Sequence, residues 1–301
     1  MFGKKVELVF DAKDMVGESP VWSVKEQALY WVDISLRKIN RLSFPNLSLT
    51  AWTCPEMVAC IAPNFDLNYL IVGAQSGVFK FTIIDNLGFT FESIASVTHD
   101  CEGMRFNDGR LDRRGRFLAG TMVMNMSLAK PFGGIYSLSG ELKSPVLKQQ
   151  LKGFLTPNGM AFSPDGSLMY LSDSHPKSQN IWSFKYDNDS GEISDRKLFF
   201  DMSHIPGRPD GAAVDVDGCY WICGNDAGVV YRITPEGVID QTFNLPIKKP
   251  AMCSFGGPNL DTLFITSIRP LGIDLSDQPL AGGLFSIKTS TQGIEEAKHQ
   301  F

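Results

Sequence analysis

Residues 208–221 read RPDGAAVDVDGCYW, which puts Asp210 at the entrance to a short apolar stretch and leads through an Asp-Gly turn into a second one, GCYWICG at 218–224. Two short runs rich in aromatic and β-branched residues, split by a turn signal, read as antiparallel strands. The second run recurs as ALYWVDI at 28–34, NYLIVGA at 68–74, GRFLAGTM at 115–122, SLMYLSDS at 167–174 and DTLFITSI at 261–268. A third run follows each time: KINRLSF at 38–44, GVFKFTI at 77–83, GGIYSLS at 133–139, NIWSFKY at 180–186, GVVYRIT at 228–234 and GGLFSIK at 282–288. No long helical pattern lies between them.

The first runs align as ESPVWS from 18, ACIAPN from 59, NDGRLD from 107, NGMAFS from 158, DGAAVD from 210 and MCSFGG from 252, at spacings of 41, 48, 51, 52 and 42 residues. A mean near 47 fits a four-stranded propeller blade and exceeds a leucine-rich or ankyrin unit. The expected fold is all-β: a six-bladed β-propeller with four-stranded blades around a central channel, formed by 1–301 as one domain. Fourth strands fall in SLTAWT, GFTFES, SPVLKQ, RKLFF and VIDQTFN, and KKVELVF at 4–10 is expected to join the C-terminal blade and close the ring.

In a propeller the first strand of each blade lines the channel, so residues that open those strands form a ring. The ring reads Glu18, Ala59, Asn107, Asn158, Asp210 and Met252, and four of the six carry oxygen donors. Two carboxylates facing each other in a narrow channel repel unless a cation or a shared proton lies between them. The plainer alternative is that Asn-Gly, Asp-Gly and Asn-Asp-Gly only form turns. Glu18 lacks a following glycine, and the common register of four polar residues is harder to obtain from unrelated turns.

Composition limits the partners. The 301 residues are 43% hydrophobic and 20% charged, with a net charge of −5 and a pI near 5.4. That acidity and the absence of a Lys/Arg cluster argue against nucleic acid. No apolar stretch of membrane-spanning or signal-peptide length occurs, so no membrane partner and a cytoplasmic location are expected. The six cysteines at 54, 60, 101, 219, 223 and 253 form no CxxC pair and read as reduced core residues. Without a coiled-coil segment, a monomer or dimer is expected.

With these residues assembled, nearly the whole chain resembles the gluconolactonase family that includes regucalcin (senescence marker protein) and the luciferin-regenerating enzyme. The resemblance rests on GESPVW at 17–22, LYWVDI at 29–34, RFNDGRLDRRGRFLAGTM at 105–122, TPNGMAFSPDG at 156–166, RPDGAAVDVDGCYW at 208–221 and CSFGG at 253–257. It implies a hydrolase acting on a sugar lactone with one divalent cation. By that resemblance Glu18, Asn158 and Asp210 are the metal ligands, and Arg105 and Asn107 bind substrate. Where regucalcin-like members carry a glutamate soon after GTM, this chain has VMN, which places Asn125 or Met124 in that corner of the substrate site.

Two carboxylates and an amide oxygen suit Ca²⁺, Mg²⁺ or Mn²⁺, with Zn²⁺ also accepted. The expected chemistry is hydrolysis in which the lactone carbonyl is polarised by the cation and Asp210, the catalytic residue, takes the proton from the attacking water. An esterase or organophosphate hydrolase on the same fold, or a noncatalytic cation-binding propeller, are the competing readings. His175 and His204 are expected on the surface, Trp31 and Trp221 in the core, and Lys248-Lys249 and Arg113-Arg114 in solvated turns. No G-x-S-x-G motif signals a serine nucleophile.

Overall fold

Short β-branched and aromatic runs bounded by turns leave the chain little choice but strands, and the computed structural model, which describes residues 5–64, 66–140 and 144–300, forms six four-stranded antiparallel sheets. The innermost strands are Gly17–Ser23, Val58–Asn64, Met104–Leu111, Pro157–Phe162, Arg208–Val214 and Pro250–Gly256. Each touches the innermost strand of the blade before and after it, and Gly17–Ser23 meets Pro250–Gly256, so the six close into a propeller ring. Helical structure among the described residues amounts to two 3-10 turns, Met126–Leu128 and Met202–His204.

The last sheet takes its outermost strand from the other end of the chain. Val6–Phe10 pairs antiparallel with Leu284–Lys288, Val6 lying opposite Ile287 and Leu8 opposite Phe285. This is the closure expected from KKVELVF, whose Lys4 lies outside the described residues. It removes an exposed edge and ties the two ends of the chain together.

Burial follows position in the blade. Ala28–Asp33 and Tyr69–Ala74, both second strands, are buried at every residue, whereas the outer strand Ser48–Thr53 is mostly exposed. Inner strands are covered on both faces by neighbouring blades, which is why they read as continuous apolar runs rather than alternating ones. The core is accordingly divided between blades: Phe154, Phe162 and Phe184 pack across the third and fourth, Trp221, Phe243 and Phe285 across the fifth and sixth. Trp31 and Trp221 are fully buried, and each indole N–H finds a carboxylate, Asp14 at 2.7 Å and Asp215 at 2.8 Å. Truncating either to alanine removes packing worth about 3–5 kcal/mol; loss of Trp31 also takes away the indole donor to Asp14, whereas Asp215 keeps Arg232 Nε at 2.8 Å.

Several surface expectations need correction. Arg113 is half-buried and donates to the carbonyls of Phe162 (2.6 Å) and Ser163 (3.0 Å), joining two blades; only Arg114 is a solvated turn residue. His175 is buried, and Lys249 faces the channel, as described below. His204 is exposed as expected. Five cysteines are buried, Cys101 is half-buried, and all six are free thiols.

Residues 292–300 run across the end of the ring where the innermost strands finish. Gly293 bridges to Asp215, His299 N–H donates to the Pro63 carbonyl, and Gln300 N–H donates to that of Gly115. The strand beginnings, where the ring residues lie, form the other end.

Candidate metal centre

Every innermost strand changes register against its neighbour at the ring position. The shifts fall between Glu18 and Val21, Val58 and Cys60, Phe106 and Gly109, Asn158 and Ala161, Pro209 and Ala212, and Pro250 and Cys253. The Asn-Gly and Asp-Gly dipeptides are therefore not turns. They are bulges inside strands, and a bulge re-aims a side chain that regular pleating would direct elsewhere. Gly159 has φ +59°, a left-handed conformation, and a Cβ there would meet the Tyr220 hydroxyl at 2.4 Å; glycine at this point is what lets Asn158 face the channel.

Glu18, Asn107, Asn158 and Asp210 all line one cavity of about 240 Å³, together with Arg105. All four ring residues are buried. The volume lies just below the usual range for small-molecule sites and suits one compact ligand. Ala59 and Met252 complete the ring as buried apolar side chains, Met252 against Gly211.

Asp210 is held on both oxygens. Asn158 Nδ2 donates to Oδ1 at 2.7 Å and Asn225 Nδ2 to Oδ2 at 2.5 Å. Burial pushes the Asp210 carboxyl up to about 7 against the pull of Arg208. Burial, then Asp210 and Asp108, hold Glu18 well above the ordinary carboxylate range. Arg105 is driven down to about 10 by burial, partly offset by Glu18. It donates to the Phe106 carbonyl at 2.7 Å and to Asn107 Oδ1 at 2.8 Å. Asn107 Nδ2 in turn reaches the Pro157 carbonyl at 3.0 Å, so one amide proton of Asn107 stays available.

The donor set fits a hard divalent cation. Among the described residues Asn158 Oδ1 is a buried oxygen with no hydrogen-bond partner, in the same cavity wall as Asp210 and Glu18, and the Asp210 charge adds to burial in raising the Glu18 carboxyl. A positive ion resolves both the orphaned acceptor and the repulsion, and Glu18, Asn158 and Asp210 are the residues that would hold it.

Asn125 does not reach the cavity. It is exposed, and its side-chain oxygen caps the 3-10 turn by accepting from Ser127 N at 3.2 Å and Ser127 Oγ at 2.6 Å. Met126 lines the wall instead. The buried His175 fixes that turn: its Nδ1 accepts from Lys177 N at 3.1 Å, so Nε2 carries the proton and donates to the Met126 carbonyl at 3.0 Å. Sequence reasoning missed His175, Arg208, Asn225 and Lys249 as site residues. Only Arg208 carried a signal, since it opens the RPDG segment.

The geometry agrees with the comparisons. Residues 16–269 match the SMP-30/Gluconolactonase/LRE-like region. A 6-deoxy-6-sulfogluconolactonase from Pseudomonas putida is 35% identical over 285 residues, covering 94% of each chain. Regucalcin from Danio rerio is 33% identical over 287 residues, again 94% of each. The solved structure of a luciferin-regenerating enzyme superposes with a TM-score of 0.90 at 25% identity, covering 99% of this chain and 100% of that one. The chain belongs to the SMP-30/gluconolactonase/LRE-like family of six-bladed propellers.

Proposed function

We propose that this protein is a divalent-cation-dependent lactonase that opens a five- or six-carbon sugar lactone to its aldonic acid in carbohydrate catabolism. The observation that carries the reading is the convergence of Glu18, Asn158 and Asp210 on one small cavity beside Arg105, with the Asn158 oxygen unpartnered. The name of the Pseudomonas putida relative supports the substrate class.

When bound, the cation supplies Lewis acidity to the lactone carbonyl. Asp210 accepts a proton from the water as its oxygen bonds to the carbonyl carbon; the ring C–O bond then breaks and the proton passes to the departing ring oxygen, which becomes a hydroxyl. Asn225 keeps the Asp210 carboxylate aimed. Arg105 orients the carbonyl or a sugar hydroxyl, and Asn107 holds Arg105 while offering its remaining amide proton.

A pH-indicator assay over a panel of sugar lactones, run beside an aryl ester and an organophosphate with several added cations, tests this reading. Acid release from at least one sugar lactone, faster than from the esters, is expected. Turnover of the aryl ester or organophosphate alone, or of no compound, would reject it.

A further inference from the structure

The rim of the cavity carries charge that opening an uncharged lactone does not use. Arg208 and Lys249 both line it, and both are largely buried, with 18% and 28% of their side chains exposed. Among the described residues they share a single counter-ion: Arg208 Nε reaches Asp226 Oδ2 at 2.6 Å, and Lys249 Nζ pairs with Asp226 Oδ1. Arg208 Nη1 donates to the Ser174 carbonyl at 2.7 Å, whereas Nη2 has only a 3.5 Å contact with Asn225 Oδ1. The carboxylates that line the cavity itself, Glu18 and Asp210, are assigned to the cation.

Two partly desolvated cations with one carboxylate between them leave the rim positive, and an unused edge of a guanidinium suits a planar or tetrahedral oxyanion. We propose that Arg208 and Lys249 recognise an anionic group on the substrate, a sulfonate, phosphate or carboxylate at the end of the sugar chain away from the lactone carbonyl. This rests on the lactonase reading above and narrows it to charged lactones. Asp226 is then a positioning residue that holds both cations at the rim, and the ligand's anion completes the pairing that Asp226 begins.

The test compares glucono-1,5-lactone with its 6-sulfo, 6-phospho and 6-carboxyl counterparts, using cation-supplied protein. At least one anionic lactone is expected to show a kcat/KM tenfold or more above the neutral one, expressed mainly in KM, with the three arms identifying the anion. That ratio should fall with ionic strength, drop at least tenfold in Lys249→Met, drop further in Lys249→Glu and return in Lys249→Arg, with melting temperatures confirming that each variant folds. Independently of turnover, 6-phosphogluconate should raise the melting temperature more than gluconate does, and Lys249→Glu should abolish that difference. Equal or better hydrolysis of the neutral lactone by the wild type would overturn the inference and leave the lactonase reading standing. Failure on all four lactones would remove both.

Discussion

Asn225 donates from Nδ2 to Asp210 Oδ2 across 2.5 Å, which ties the end of the second strand of the fifth blade to the start of the first. A hydrogen bond to a charged group contributes about 1.5–3 kcal/mol. Asn225→Leu should therefore lower kcat/KM roughly tenfold to hundredfold by letting the Asp210 carboxylate rotate. Steady-state kinetics on the best lactone checks this, and an unchanged rate would show that Asp210 is aimed by other groups.

Glu18 and Asp210 oppose each other when no cation is present. A carboxyl whose folded pKa lies above its unfolded one destabilises the fold when ionised. The cost is absent below the unfolded value, grows as pH rises through the folded value, about 7 for Asp210, and is complete above it. Glu18→Gln should stabilise the chelated protein at pH 8 by on the order of 2–4 kcal/mol and leave it unchanged near pH 4. The same variant should lose most of the Tm increase that added cation gives the wild type. Melting curves across pH, with and without chelator, read both effects.

Gly159→Ala would place a methyl group 2.4 Å from the Tyr220 hydroxyl, at a residue whose φ is +59°. Strain and overpacking together should cost roughly 2–4 kcal/mol. Because Tyr220 donates to the Gly159 carbonyl at 2.6 Å, relief of the clash moves Asn158 as well. Cation affinity measured by calorimetry should fall along with Tm, whereas a purely local defect would lower Tm alone.

His299 lies buried beneath the ring, where burial pushes its imidazole down to about 4 from an ordinary 6.5. The unfolded chain takes up this proton first, so the stability linked to His299 is intact above pH 6.5 and is lost as pH falls to 4. The loss amounts to about 3 kcal/mol. Subtracting the pH profile of His299→Gln from that of the wild type should isolate a slope confined to that window. A flat difference would show that the histidine protonates without disturbing the fold.

Much of this was readable in advance because propeller blades repeat. Strands such as Ala28–Asp33 and Tyr220–Asn225 announce themselves by aromatic and β-branched content, and aligning their predecessors brought Glu18, Asn107, Asn158 and Asp210 to one register. What the alignment could not show was how the ring residues are turned inward, since a bulge leaves no composition signal beyond a glycine that equally suits a turn. Lys249 and His175 were missed because they act from blades other than that of Asp210, through contacts such as Lys249 to Asp226 and His175 to the Met126 carbonyl that sequence distance conceals, and Asn225 because it meets Asp210 from the far end of the neighbouring strand. Asn125 was misplaced for a related reason: the 3-10 turn at Met126–Leu128 swings it outward and brings Met126 to the cavity.

The proposed mechanism needs a cation held by Glu18, Asn158 and Asp210 to take part in turnover. Its most direct test is lactone hydrolysis by the wild type and Asp210→Ala before chelation, after it, and after divalent ion is restored. Wild-type activity should vanish on chelation and return on restoration, while Asp210→Ala, folded by its melting curve, stays inactive throughout. Hydrolysis that survives complete chelation, or an Asp210→Ala enzyme retaining more than a few per cent of the wild-type rate, would contradict it.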